Sequence, residues 1–539
     1  MGNQLIKNTH IDKDPIGNGG VGAQWKMYSG HRLDRDKRPV GIFMYDKKAL
    51  AKMSTSIKEE YLQTLKKEPQ TLARYKHPNI LSILEPLIED PKAMGYVTEQ
   101  VIGSLYSMLA AQRTADIFPG ELETKFHLLD LIEALQFLHN DVKTCHLSIS
   151  PENIYITPDG KWKIAGLTFA TQLVQNSTAN SPVEFMTMGG DVKLTPNLKF
   201  TAPEVADSPS QCTFASDMFS LACLVYTIYK VGADKNCSNP YLINVNSVHD
   251  HREFVKRIDR EDFSCIPSAL RPTIIRMLNN DPNMRISIND FANNAFFKDP
   301  FIQTVKCLEN LYQKDLPQQQ TFLRGLARII LKFEPKFIKT KIIPLLNELM
   351  KNEQLASSIL PIYFALMDSP DYLSKQDFTT LIWGAIKGLA TGREIPAQAL
   401  YLMIEHTEKL IEYVEIKEFQ STFVPLLGKS FECGVPKIQT IAIKRVEALY
   451  QKIEYNVLKS QILPRILILC TDPNIDVRKV AIILLSKIYT VFDKHILNDQ
   501  VLSTLEKVRK LNNNYKINMT VLSIFEGISK NIGTDVIIT

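Results

Sequence analysis

The order of apolar and polar positions changes character near residue 300. Before that point, strand-like runs come first and helix-like runs later. Val40-Gly41-Ile42-Phe43-Met44-Tyr45 and Gly95-Tyr96-Val97-Thr98-Glu99 are short β-leaning runs. Between Thr124 and Asn140, Phe126, Leu129, Ile132, Leu135 and Leu138 recur at helical spacing, which predicts a helix with one buried face. Strands followed by helices predict an α+β domain with two unequal halves, over residues 1–298. The longest apolar run, Met218 to Tyr229, is shorter than the ~20 residues a bilayer requires and long enough for a buried helix.

After about residue 320 the strand signals fade, and amphipathic helices follow one another with short polar breaks. An apolar-apolar-Pro phrase recurs as Ile342-Ile343-Pro344, Phe423-Val424-Pro425 and Ile462-Leu463-Pro464. The last two prolines lie one interval of ~40 residues apart and the first two lie about two intervals apart, the signature of a HEAT or armadillo-type solenoid. The skipped slot falls at Leu381-Ile382-Trp383, which keeps the apolar residues without the proline. Proline suits the first turn of a helix, where its missing N–H is an orphan anyway. In the clearest unit, Ile462 to Tyr489, one helix ends at Asp472-Pro473 and the next starts at Asp476-Val477-Arg478. These patterns predict an all-α solenoid over 321–539, joined to the first domain by a connecting helix over 299–320.

Composition narrows the function classes. The 539 residues are 45% hydrophobic with a net charge of +5, which demands neither a nucleic-acid nor a membrane partner. The eight cysteines are scattered and form no C-x-x-C pair, which points to a reducing compartment and away from a structural zinc site. The start, Met1 to Ile6, lacks the apolar core of a secretory signal. Gly2 opens a partial myristoylation pattern, but Ile6 stands where that pattern wants Ser or Thr.

The chemistry-bearing motifs lie in the first domain. Gly17, Gly19 and Gly22 form G-x-G-x-x-G. Glu68 precedes His77-Pro78-Asn79-Ile80, and His146-Leu147-Ser148-Ile149-Ser150-Pro151-Glu152-Asn153 follows. Then come Trp162-Lys163-Ile164-Ala165-Gly166-Leu167-Thr168, Ala202-Pro203-Glu204, Ser216-Asp217-Met218-Phe219-Ser220 and Arg285. In this order the set resembles the protein-kinase domain: glycine loop, helix-C glutamate, H-R-D-L-K-P-E-N, D-F-G, A-P-E, and the late arginine that pairs with the A-P-E glutamate. The resemblance implies a bilobal kinase fold in which His146, Glu204, Asp217 and Arg285 hold the C-lobe together.

The same comparison removes the catalysis. Phosphoryl transfer needs positioned phosphates, metal to neutralise charge and a carboxylate to accept the hydroxyl proton. Phe43 stands where the phosphate-binding lysine belongs, Ser148 where the catalytic Asp belongs and Gly166 where the metal-binding Asp belongs. Losing the base alone costs roughly 10²–10⁴ in rate, and losing the lysine and the metal carboxylate removes the electrostatic clamp. Leu147 replaces the arginine that would read an activation-loop phosphate, so no phosphorylation switch of the usual kind is expected. No catalytic residue, metal or cofactor is therefore expected. Degenerate cofactor-binding positions remain at Gly17, Gly19, Gly22, Glu68 and Asn153, with at most weak ATP binding and no magnesium clamp. Glu68 without its lysine is expected to turn outward or find Lys47 or Lys48. Asn153, a poor magnesium site alone, is expected to hydrogen-bond the catalytic-loop backbone.

A kinase-like domain with these losses, followed directly by HEAT-like repeats, resembles the SCY-one-like pseudokinase family. Gly19-Gly20-Val21-Gly22-Ala23-Gln24-Trp25-Lys26, Trp162-Lys163-Ile164, and Tyr312-Gln313-Lys314-Asp315 with Phe322-Leu323-Arg324-Gly325-Leu326 carry the resemblance. It is greatest to the branch called SCY-one-like protein two. This implies a non-catalytic scaffold in vesicle traffic, peripheral at the trans-Golgi network, endosomes or coated vesicles, with clathrin adaptors as partners through the solenoid. The branch members carry a long polar tail, whereas this chain stops at Ile537-Ile538-Thr539. Coatomer- or tRNA-export-linked scaffolding and residual, atypical kinase activity are the competing readings. DNA is not expected as a partner and RNA is disfavoured, for want of a basic stripe. Asp299-Pro300-Phe301 resembles a motif that docks on endocytic adaptor appendages; the plainer expectation is the end of the last kinase helix.

Overall fold

A computed structural model describes residues 6, 8–51, 53–111, 120–174, 178–179, 186–187, 193–234, 237–511 and 514–532. Gly2 and the terminal Ile537-Ile538-Thr539 lie outside the described residues. The chain divides into two compact units, Met1–Gln303 and Thr304–Thr539. An α+β domain followed by a helical solenoid, as the sequence predicts, is the architecture observed.

The first unit opens with a five-stranded antiparallel sheet: β1 (Thr9–Gly19), β2 (Trp25–Arg32), β3 (Pro39–Asp46), β4 (Ile83–Glu89) and β5 (Ala93–Glu99), ordered β1-β2-β3-β5-β4. Alternation along β3 puts Val40, Ile42 and Met44 into a core with Ile6, Ile11 and Val97. Phe43 points to the other face, opposite Tyr96 in the β3–β5 register. Helix Thr55–Arg74 packs on the turn Leu167–Phe169, which brings Glu68 to Gly166.

The helical half is built on Glu121–Gln136 and Phe214–Ala233. The first differs from the expected one-faced helix. Beyond Phe126, Leu129, Ile132 and Leu135, the residues Leu128, Leu131 and Ala134 are also buried, because neighbouring elements cover the helix on several sides. Phe214–Ala233 is 20 residues long, enough by length and hydropathy to cross a membrane, yet 78% of its apolar window is buried inside the domain. The run Met218 to Tyr229 is thus the middle of a longer buried helix.

In the second unit one row of helices, Leu316–Ile329, Ala356–Met367, Ala397–Glu405, Pro436–Leu449, Ile475–Ile488 and Tyr515–Ile532, packs each on the next. A second row contains Ile343–Met350, Trp383–Thr391, Ile416–Glu432 and Leu463–Leu469. The prolines correct one expectation. Pro425 lies inside helix Ile416–Glu432. Pro344 and Pro464 do start regular helices, but each follows a π-helical turn, Ile338–Ile342 or Leu458–Ile462. A proline ring clashes with the carbonyl four residues back, and the wider π turn makes room for it within a continuing helical path. Asp299 caps the helix Pro300–Glu309 through the Phe301 amide at 2.9 Å and receives Lys125 Nζ at 3.3 Å. Asp299-Pro300-Phe301 therefore begins a helix rather than ending one, and the unit boundary falls within that helix.

Candidate functional site

The cleft of a kinase fold lies between its sheet and its helical half, under the glycine loop. Here that loop rests on a side chain from the opposite lobe. Tyr155 sits in the strand Ile154–Ile156, and its Oη accepts the Gly20 N–H at 2.7 Å. A Cβ added to Gly19 would lie 2.3 Å from the same Oη, so only glycine permits this approach. Phe43 stacks on Tyr96 at 4.9 Å and 7°, and meets Tyr155 edge-on at 5.2 Å and 88°. Trp25 closes the cluster, edge-on to Tyr96 at 4.9 Å. All four rings are fully buried. Tyr155 thus takes up space directly beneath the glycine loop.

Glu68 corrects its expectation. It neither turns outward nor meets Lys47 or Lys48. It is fully buried and accepts the Gly166 N–H at 3.0 Å, with Thr168 Oγ1 at 3.5 Å. Lys47 instead pairs with Glu89 at 2.6 Å. Burial pushes the Glu68 carboxyl up to about 7, against the lowering effect of the Gly166 and Thr168 bonds. No cation among the described residues offsets its charge.

The catalytic-loop remnants bond to one another. Asn153 Nδ2 donates to Ser148 O at 2.7 Å, Ser148 Oγ at 2.9 Å and Ser150 Oγ at 3.2 Å. Asn153 thus holds the loop backbone. It also fills the place of the missing metal ligand: a Cβ on Gly166 would lie 2.2 Å from Asn153 Cγ. Gly166 has φ +74°, a left-handed backbone that L side chains rarely adopt. Gly17 lies in β1, and Gly22 has φ +67° within the loop. Among the described residues, no group of three His, Cys, Asp or Glu could hold a metal.

The structural residues form a connected network. Asp217 accepts the His146 and Leu147 amides at 2.7 and 2.8 Å and pairs with His139 Nε2 at 2.8 Å. His146 Nε2 lies 2.9 Å from Ala165 O, which ties the catalytic loop to the segment before Gly166. Burial lowers the His146 pKa, favouring the neutral ring. Arg285 forms a bidentate pair with Glu204 at 2.8 and 2.9 Å, and Ser216 Oγ adds a bond at 2.7 Å.

Tyr155, Tyr96 and Trp25 are the site residues that motif reading misses. The usable signal was alternation. In the strand Ile154-Tyr155-Ile156, Tyr155 takes the opposite face to its two isoleucine neighbours, and its hydroxyl reaches the glycine loop.

Comparison with known proteins agrees with this geometry. The protein kinase domain family model matches residues 12–297. SCY1-like protein 2 of Mus musculus is 26% identical over 528 residues, covering 94% of this chain and 55% of its own length. Protein kinase-like protein SCY1 of Saccharomyces cerevisiae is 30% identical over 362 residues, 60% of this chain and 44% of its own. The probable inactive serine/threonine-protein kinase scy1 of Dictyostelium discoideum is 24% identical over 452 residues, 82% of this chain and 48% of its own. The chain spans about half the length of these relatives.

Proposed function

Because the chain belongs to the protein-kinase domain family, and within it to the SCY1-like proteins, we propose that it is a catalytically inactive kinase-like scaffold in vesicle traffic. The observation that carries inactivity is the Tyr155 hydroxyl against the Gly20 amide at 2.7 Å, which closes the loop onto the C-lobe. With Phe43, Ser148 and Gly166 in the three chemical positions, the cleft supplies neither a phosphate clamp nor a base. What survives is the C-lobe frame of His146, Asp217, Glu204 and Arg285, which keeps the domain rigid as a docking module.

The trafficking part rests on resemblance to SCY1-like protein 2 over 94% of this chain, which spans 55% of that relative. Clathrin adaptors are the proposed partners, with association at the surface of trans-Golgi, endosomal or coated-vesicle membranes. Two experiments test the reading. A nucleotide held at 100 times its Kd stabilises a protein by about 2.7 kcal/mol. Millimolar ATP with magnesium is expected to leave the melting temperature unchanged; a shift abolished by Gly19→Leu would show that a nucleotide enters the cleft and reopen the kinase reading. Affinity purification of the chain from its own cell extract is expected to recover clathrin adaptors. Recovery of coatomer or tRNA-export factors alone would replace that partner.

A further inference from the structure

We propose that a basic cleft in the solenoid docks a short, extended acidic segment of a partner protein. The inference deepens the scaffold reading by assigning it a surface and a partner chemistry. The cleft lies where helices Ala397–Glu405, Pro436–Leu449 and Ile475–Ile488 meet along one row, and its volume is about 670 Å³. Periodicity creates it. Helix Pro436–Leu449 buries Ile438, Ala442, Ile443, Val446 and Leu449, which turns Lys437, Ile441, Lys444 and Arg445 to the open side. The next helix adds Lys479, Val480 and a single carboxylate, Asp476.

Charge marks the occupant. Among the described residues, four cations line the cleft against that one carboxylate. Arg445 is paired with Glu408 outside the lining, and Lys437 lies over the Tyr401 ring at 4.6 Å. Of the nearby acids, Glu405 accepts the Tyr401 hydroxyl at 3.1 Å and Glu447 pairs with Lys487. Lys444 and Lys479 have no ion pair among the described residues. Elsewhere in the solenoid, lysines pair across neighbouring helices, as in Lys339–Asp377, Lys387–Glu418 and Lys459–Asp493. At Lys444 and Lys479 that ladder is interrupted inside a cleft, which leaves two ammonium groups for an external carboxylate.

The other lining residues choose among anions. Pro436, Ile441 and Val480 give the cleft an apolar wall, which suits apolar side chains interspersed with acids and offers nothing to a bare headgroup phosphate. Nucleic-acid bases need free aromatic faces. Among the described residues Tyr401 is the one aromatic in the lining, and Lys437 covers it.

The test uses the full chain and a fluorescein-labelled peptide of alternating Glu and Leu, read by anisotropy. Saturable binding with a Kd on the order of 10 µM is expected, weakening as salt rises. Lys444→Glu/Lys479→Glu should weaken it at least about tenfold, a loss of roughly 1.4 kcal/mol. Lys444→Gln/Lys479→Gln should weaken it less, and Lys417→Glu, on a different helix, should not change it. Unchanged melting curves establish that the variants fold. The proposal is overturned if the peptide does not saturate, if the charge-reversed and wild-type chains bind alike, or if single-stranded RNA or phosphoinositide vesicles displace the peptide through Lys444 and Lys479. Each of these outcomes is independent of the ATP melting test, so failure here leaves the inactive-kinase reading standing.

Discussion

Glu68→Gln should stabilise the protein above neutral pH, contrary to the usual outcome of altering a conserved-looking kinase motif. Glu68 is fully buried, with the Gly166 amide and a long contact to Thr168 as its partners and, among the described residues, no cation beside it. Its pKa rises from 4.5 to about 7. A raised carboxyl pKa means that the folded state holds the proton more tightly than the unfolded state, so stability falls as pH rises from about 4.5 through 7. At ~1.4 kcal/mol per unit, the accumulated loss above pH 7 is on the order of 3 kcal/mol. Gln keeps an oxygen for the Gly166 amide and does not titrate. The variant should match the wild type near pH 5 and exceed its stability at pH 8 by up to ~3 kcal/mol, about 2–4 °C in Tm per kcal/mol. Denaturant unfolding followed by tryptophan fluorescence reads this. Trp25 and Trp162 are buried in the first unit, and Trp383→Phe removes the signal of the second. Parallel pH curves for the two chains would refute the reasoning, as would a Gln variant weaker at pH 8, because either result requires a counter-charge at Glu68.

Other expectations concern the cleft and the C-lobe. Tyr155→Ala should cost about 3–5 kcal/mol of stability and Tyr155→Phe only about 1 kcal/mol, measured by denaturation; neither should transfer phosphate from radiolabelled ATP. Gly166→Asp should lower Tm through a strained backbone worth roughly 1–2 kcal/mol and through collision with Asn153, with no magnesium-dependent shift in calorimetry. Arg285→Ala strands Glu204 in the interior and should cost about 3–5 kcal/mol; an Arg285→Met/Glu204→Gln double variant should cost less than the sum of the single changes. Asn474→Ala removes the cap that accepts the Asp476 and Val477 amides and should cost about 1 kcal/mol in thermal unfolding.

Much of the fold was legible because it is written in local periodicity. The β-leaning run Val40 to Tyr45 marked β3, and the spacing of apolar residues after 320 marked the paired helices. The helix Glu121–Gln136 was legible as a helix but not as one covered on several sides, because periodicity records a moment and not how many neighbours surround an element. One proline misled. Pro344 and Pro464 stand in the first turn of their helices as expected, but Pro425 lies inside Ile416–Glu432, where its chemistry is disfavoured. The cleft was half legible. The missing lysine and acids could be counted from motif order, but what replaced them could not.

The sequence by itself determined that Phe43, Ser148 and Gly166 withhold an ammonium and two carboxylates, since charge is a property of residue type. Only the tertiary structure decided that Tyr155 reaches Gly20, that Asn153 fills the space beside Gly166 and that Glu68 lies buried against the Gly166 amide. Tyr155 and Gly20 lie 135 positions apart and Glu68 and Gly166 lie 98 apart, and no local pattern encodes distances of that kind. They arise when sheet and helices pack to the density of a solid, where every vacated volume is taken by a neighbouring side chain.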